Sequence, residues 1–247
     1  MIAALARAVA GCPSAPPAPP GPTLDERNVR MHLYLDTADR AAAEPLLATG
    51  LFAGLTTNPT ILQRADRGVA DIEDIYAWAQ AAGAKEIFFQ AWGEDTATLV
   101  ERGLRLSALG PDVVVKLVVS RAGAAACAEL AGRGIPTLLT AVYHPGQAMI
   151  AAAAGATYIA PYLGRLVDAG RDALGDVLAM HELLAATGSA TKVLLASIRD
   201  VSSMVTLARA GVQHFTFSPA VAEAFFTEEL TIAASRAFEE AVVATTR

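Results

Sequence analysis

The chain has 247 residues, 53% of them hydrophobic and 18% charged, with 19 Lys+Arg against 25 Asp+Glu and a formal charge of −6. A core of domain size is therefore within reach and global disorder is excluded. So is a generic binder of nucleic acid or acidic membranes, which needs a net basic face. Two cysteines, Cys12 and Cys127, are too few for a disulfide framework or a Cys-rich zinc site. No apolar run approaches the roughly 20 residues that span a bilayer.

Residues 1–30 stand apart from the rest. MIAALARAVAGC is apolar, and the proline-rich PSAPPAPPGP that follows cannot form a helix or a strand ladder. The expectation is an Ala/Pro-rich disordered extension, with Met31 as a second candidate start. Val9–Cys12 reads VAGC, like a lipoprotein cleavage box. Arg7 interrupts the apolar stretch and no basic residue precedes it, so a targeting segment is the lesser reading and a cytoplasmic chain the expected one.

From Met31 onward, eight short apolar runs alternate with Ala/Leu-rich helical stretches. In order they are HLYLDTA (32–38), AGLTTNP (53–59), EIFFQAW (86–92), VVVKLVV (113–119), PTLLTAV (136–142), TYIAPYL (157–163), KVLLASI (192–198) and HFTFSPA (214–220). Most are continuously apolar rather than alternating, as suits parallel strands covered on both faces. Segments between them, such as DIEDIYAWAQAAG and SRAGAAACAELAGRG, carry apolar residues at helical spacing and end in glycine. Eight such units in about 215 residues predict a (β/α)8 TIM barrel, one domain over 31–247. An open doubly wound sheet is the runner-up, but no G-x-G-x-x-G follows the first strand. TEELTIAASRAFEEAVVA predicts a C-terminal helix that packs on the barrel or reaches a neighbouring subunit.

Barrels of this type carry their chemistry at the C-terminal strand ends. The polar residues falling late in the runs are Asp36, Thr56, Thr57, Asn58, Gln90, Lys116, Thr140, Tyr162, Ser197 and Arg199. Lys116, flanked by Val-Val-Val and Leu-Val-Val, is the most informative. Burial disfavours the ammonium and lowers the lysine pKa, and a neutral amine is the nucleophile that Schiff-base chemistry requires. The competing structural readings are a lysine paired with a buried carboxylate such as Asp36, or one snorkelling outward between helices. Asp36 itself is either a proton-transfer and hydroxyl-binding group or the cap of a helix starting near Asp39. Thr56, Thr57 and Asn58 precede a proline that holds Asn58 extended, and suit a polyol. Arg165, Ser197 and Arg199 can grip a phosphate through forked, charge-assisted hydrogen bonds, or the arginines can pair with Asp168, Asp172 or Asp200. Trp92 lines the mouth or belongs to the core, His144 is a loop residue, and Cys127 packs in the helix 121–133 as a small hydrophobe.

Taken together, LYLDTAD (33–39), GLTTNPTI (54–61), FFQA (88–91), DVVVK (112–116), GIPTLLTAVY (134–143), YIAPYLGR (158–165) and LLASIRD (194–200) resemble the small transaldolase family, and within it the fructose-6-phosphate aldolases. The resemblance implies an (α/β)8 barrel using a Schiff-base lysine, Lys116, with no metal or organic cofactor. Asp36 matches the strand-one aspartate that assists proton transfer and contacts donor hydroxyls. Thr57 and Asn58 match substrate contacts, and Arg165, Ser197 and Arg199 match the sugar-phosphate set. Gln90 and Tyr162 match the aldolase branch, where transaldolases carry Glu and Phe. On this reading Tyr162, with Gln90 and Thr140 holding a water, moves the proton. Leu117-Val118 replaces the usual residue-proline pair after the lysine, while Gly164-Arg165 and Arg199 lean toward transaldolase. The implied activity is reversible cleavage of fructose 6-phosphate to dihydroxyacetone and glyceraldehyde 3-phosphate. The alternatives are transfer of a dihydroxyacetone unit between sugar phosphates, a non-catalytic sugar-phosphate-binding barrel, or the same chemistry on another anion such as a sulfonate. The family also implies a ring-based homo-oligomer, such as a decamer, with C-terminal helices docked on neighbours.

Overall fold

The computed structural model describes residues 31–245, and the extension expected over residues 1–30 lies outside them. Eight parallel strands close into a barrel in sequential order: β1 (His32–Asp36), β2 (Gly54–Thr56), β3 (Glu86–Gln90), β4 (Val113–Val118), β5 (Thr137–Val142), β6 (Tyr158–Pro161), β7 (Lys192–Ile198) and β8 (His214–Phe217). β8 pairs with β1 to complete the ring. All eight predicted runs are strands. Several predicted runs extend too far at their C-terminal ends, because the residues there turn and cap the next helix instead of pairing.

Helices follow the strands around the ring. They are α1 (Arg40–Ala48), α2 (Pro59–Arg64), α3 (Ile72–Ala81), α4 (Thr96–Ser107), α5 (Arg121–Gly132), α6 (Gly146–Ala153) and α7 (Leu163–Asp168). They are followed by α8 (Ala173–Ala186), α9 (Val201–Arg209), α10 (Pro219–Glu223) and α11 (Glu229–Thr245). Asp39 caps α1 by accepting from the Ala41 and Ala42 amides, so the cap is Asp39 and Asp36 is left to face the barrel. Asn58 caps α2, with Pro59 in the first-turn position where a missing amide costs nothing. Two apolar layers result. One joins the outer strand faces to the helices around Leu35, Phe89, Val115, Leu139 and Phe215. The other plugs the barrel interior with Tyr34, Phe88, Val114, Leu138, Tyr158, Ala160, Leu194 and Ala196.

Because strand side chains alternate, the residue two positions after each plug residue also points inward, one layer higher. Tyr34 leads to Asp36, Phe88 to Gln90, Val114 to Lys116, Leu138 to Thr140 and Ala160 to Tyr162. A polar tier thus stands on an apolar floor. The plug leaves little room: a Cβ on Gly54 would lie 1.8 Å from the Glu86 carbonyl oxygen, so β2 approaches β3 only as glycine.

Two strands break regularity at the top. The β5–β6 register shifts between Leu139 and Val142, and the β7–β8 register between Leu195 and Ile198. At those places Ala141 and Ser197 adopt φ of 58°, the left-handed region that non-glycine residues avoid. These bulges re-aim the side chains beside them, Thr140 and Ser197, as bulges near active sites commonly do.

Cys127 is buried in α5 with its Sγ 3.2 Å from the Thr137 hydroxyl, a small core side chain as expected. His144 lies exposed in a loop, where its Nδ1 accepts from the Gly146 amide. Trp92 is half-buried after β3, with the Arg102 guanidinium 4.7 Å from its ring centre. Among the described residues no helix is long and apolar enough to cross a membrane, and no group of three or more His, Cys, Asp or Glu is arranged to hold a metal ion.

Candidate active site

A cavity of about 170 Å³ opens at the C-terminal strand ends above the apolar plug. Asp36, Asn58, Lys116, Thr140, Tyr162, Arg165 and Ser197 of the predicted set all line it. Three other predicted residues do not. The Thr57 hydroxyl donates to the Phe88 carbonyl at 2.9 Å, so this side chain ties β2 to β3. Gln90 lies beside Lys116 in the β3–β4 register, half-buried and outside the cavity lining. Arg199 is exposed and paired with Asp168 at 2.7 Å, as the competing reading of that arginine had it.

Lys116 is 5% exposed. Its Nζ donates to the backbone carbonyl of Thr57 at 2.6 Å. It neither snorkels outward nor bonds to Asp36, whose Oδ1 accepts from Thr56 instead. A carbonyl partner suits an amine in either protonation state, whereas burial penalises only the ammonium. The lysine pKa is therefore lowered by burial, against the opposing pull of Asp36.

Asp36 is raised above the usual carboxylate range by burial, while Lys116, the Thr56 hydroxyl and Arg64 oppose the shift. The Thr56 hydroxyl lies 2.6 Å from Asp36 Oδ1 and 2.6 Å from the Thr216 hydroxyl. One hydroxyl carries one proton, so if Thr56 donates to the carboxylate, Thr216 must donate to Thr56. The carboxylate thus ends a chain of two hydroxyls crossing from β8 to β1.

On the far wall the Thr140 and Tyr162 hydroxyls are 2.8 Å apart. Burial pushes the Tyr162 phenol up, so it stays protonated and can give and regain a proton without resting as phenolate. The Arg165 guanidinium stacks 4.9 Å over the Tyr162 ring and donates to the Tyr143 hydroxyl at 3.2 Å. Gly164 lets α7 close on the β7 bulge: a Cβ there would meet the Ser197 carbonyl oxygen at 2.6 Å and Ser197 Oγ at 3.1 Å. Asn58 accepts from the Ile61 amide through Oδ1, which leaves its NH2 group as a donor.

Beyond the apolar plug residues Leu138, Ala160, Leu194 and Ala196, the lining residues that escaped the sequence reading are Thr60, Ile61, Arg64 and Thr216. Thr216 was within reach, since inward parity along HFTF places it above His214. Thr60 and Arg64 lie four residues apart on α2 and so share a face. That face is invisible until α2 is placed over the barrel mouth.

The family model for transaldolase/fructose-6-phosphate aldolase matches residues 33–246, and the chain belongs to that family. Similar proteins include a probable transaldolase of Caulobacter sp. (strain K31), 35% identical over 205 residues, which covers 81% of this chain and 91% of the relative. A probable transaldolase of Phenylobacterium zucineum (strain HLK1) is also 35% identical, over 203 residues, with the same coverage. Among solved structures, a thiamine phosphate pyrophosphorylase from Pyrococcus furiosus superposes with a TM-score of 0.53 at 14% identity, covering 78% of this chain and 88% of that one. A flavocytochrome b2 variant gives 0.52 at 12% identity, covering 77% and 57%. These structural likenesses speak to the barrel alone. The family makes the chain an enzyme of the transaldolase/aldolase type.

Proposed function

We propose that this chain is a class I aldolase that cleaves fructose 6-phosphate reversibly to dihydroxyacetone and glyceraldehyde 3-phosphate. The observation that carries the reading is Lys116, buried at the cavity floor between Asp36 and the Thr140–Tyr162 pair. In the synthetic direction the neutral amine adds to the donor ketone. Loss of water, with Tyr162 as acid, leaves an iminium, and Tyr162 acting through a water held with Thr140 removes the α-proton. The resulting enamine attacks the acceptor aldehyde, whose oxygen takes a proton from Asp36 or the water beside it. Water then hydrolyses the new iminium and restores the amine. Arg165 and Ser197 hold the acceptor phosphate, with Arg199 joining them when it leaves Asp168. The iminium is the electron sink, so the scheme calls on no metal or organic cofactor. Its substrates place the enzyme in the cytoplasm, in pentose phosphate and related carbohydrate metabolism, without nucleic-acid or membrane partners.

Transaldolase activity is the second reading, favoured by the names of the relatives and by Gly164 and Arg199. The two part on one assay: fructose 6-phosphate supplied without an acceptor. Release of free dihydroxyacetone over many turnovers supports the aldolase; release only as transfer to an added aldose phosphate supports transaldolase.

The proposed enzyme is also a ring-based homo-oligomer. No residue of α11 is buried, and Leu230 and Phe238 are 78% and 71% exposed, an apolar load that a neighbouring copy would cover. Solution mass well above that of one chain is expected, and a clean monomer removes this part of the reading.

A further inference from the structure

Among the described residues the apolar plug takes no side chain from β2 or β8. Those strands contribute Thr56 and Thr216 to the cavity lining instead, 1% and 2% exposed. β2 and β8 flank β1, the strand that carries Asp36. The two hydroxyls meet at 2.6 Å, and Thr56 lies 2.6 Å from Asp36 Oδ1. A valine at 216 would have the same shape and would pack on the plug with no buried hydroxyl to satisfy. What the threonine adds is its bond to Thr56.

Each threonine supplies one proton to this chain. With Asp36 ionised, Thr216 donates to Thr56 and Thr56 to the carboxylate. With Asp36 protonated on Oδ1 the order reverses: Asp36 donates to Thr56, Thr56 to Thr216, and the Thr216 proton turns into the cavity. Both orders use the bond between the threonines, but only in the first does it polarise Thr56 toward a charge. Hydrogen bonds that serve a charge are the stronger ones, so Thr216 favours the carboxylate. The other groups facing Asp36 are Lys116 of β4 and Arg64 of α2, which favour its charge, and Tyr162 after β6, which stays protonated. Asp39, Arg40, Asp66 and Arg67 border it from the groove between α1 and α2. A substitution at 216 leaves all of these in place.

We propose that Thr216 is a positioning residue for the reaction: by donating to Thr56 it points the Thr56 proton at Asp36 and holds that carboxylate ionised and ready to accept a proton. This rests on the Schiff-base reading. In the cleavage direction the electron pair of the breaking C–C bond goes to the iminium on Lys116. The proton of the hydroxyl on the departing carbon passes to Asp36, and that hydroxyl becomes the aldehyde.

Carbon-13 NMR of the full enzyme, labelled at its aspartate carboxyl groups, reads Asp36 directly; its signal is the one missing from Asp36→Asn. Thr216→Val is expected to raise the Asp36 titration midpoint by about half a pH unit. Thr216→Ser keeps the hydroxyl and should leave the midpoint in place. Thr216→Ala carries the same expectation as valine and serves if the valine protein does not fold. For fructose 6-phosphate cleavage near that midpoint, Thr216→Val should lower kcat about threefold and change KM by less than about twofold, and Thr216→Ser should recover the loss. A midpoint that stays in place or moves down without the hydroxyl overturns the proposal. So does a midpoint moved equally by serine, or a kcat loss that serine does not recover. Failure of the underlying aldolase reading shows differently. The unsubstituted enzyme would then give no borohydride-trapped adduct on Lys116 with fructose 6-phosphate, even where the Asp36 midpoint moves as expected.

Discussion

The Nζ of Lys116 lies 2.6 Å from the carbonyl oxygen of Thr57, two strands away across the barrel interior. That carbonyl is held in place because the Thr57 amide and hydroxyl both bond to the Phe88 carbonyl, at 3.0 and 2.9 Å. The amine is thereby aimed without a counter-ion in direct contact. Its nearest carboxylate influence, Asp36, acts through space and favours the ammonium.

This arrangement predicts how activity follows pH. Burial lowers the Lys116 pKa and Asp36 raises it, so the neutral nucleophile accumulates below the ordinary lysine range. The alkaline-rising limb of kcat/KM should lie below pH 10.5, the ordinary lysine value. Asp36→Asn removes the opposing attraction, and the limb should move to lower pH even as kcat falls. A limb that stays in place, or moves up, contradicts the coupling.

The Thr140–Tyr162 pair predicts a selective loss. Tyr162→Phe keeps the ring under Arg165 and removes the proton-transfer hydroxyl. Aldol cleavage should fall by about 10²-fold or more, the usual scale for a lost general acid–base group. The covalent adduct on Lys116 should still form, more slowly. Release of free dihydroxyacetone, followed beside adduct mass, checks both halves.

Acid stability is set at the opposite end of the barrel. His214 is 4% exposed, stacked 4.5 Å from His32, and its Nε2 has no hydrogen-bond partner. Burial, with His32 and Lys192 nearby, holds its pKa at about 3 against an ordinary 6.5. The folded state therefore resists a proton that the unfolded chain accepts. Its contribution to stability is intact above pH 6.5 and is lost as pH falls toward 3, at up to roughly 1.4 kcal/mol per pH unit. His214→Phe should flatten the fall in Tm between those pH values, whereas an unchanged slope would place the acid sensitivity elsewhere.

Much of the barrel was legible because continuous apolar runs of strand length can only be covered on both faces. The polar residues late in those runs then declare themselves: Asp36, Lys116, Thr140 and Tyr162 are read from position alone and line the cavity. What stayed hidden depends on tertiary placement. Thr57 sits among polar residues in TTNP, yet its hydroxyl serves the strand beside it. Arg199 looks equal to Arg165 in sequence, and only the placed helices decide that it is the one that pairs with Asp168, a partner the sequence offered for either arginine. The bulges at Ala141 and Ser197 carry no glycine to announce a left-handed residue. Arg64 is an ordinary helix residue until α2 is seen to end over the cavity.

The most direct test of the account is borohydride reduction in the presence of fructose 6-phosphate, and separately of dihydroxyacetone, followed by peptide mass analysis. The account predicts a reduced adduct on Lys116 with each, absent from the Lys116→Met protein. Folded enzyme that traps neither donor, or traps them on another lysine, would contradict it.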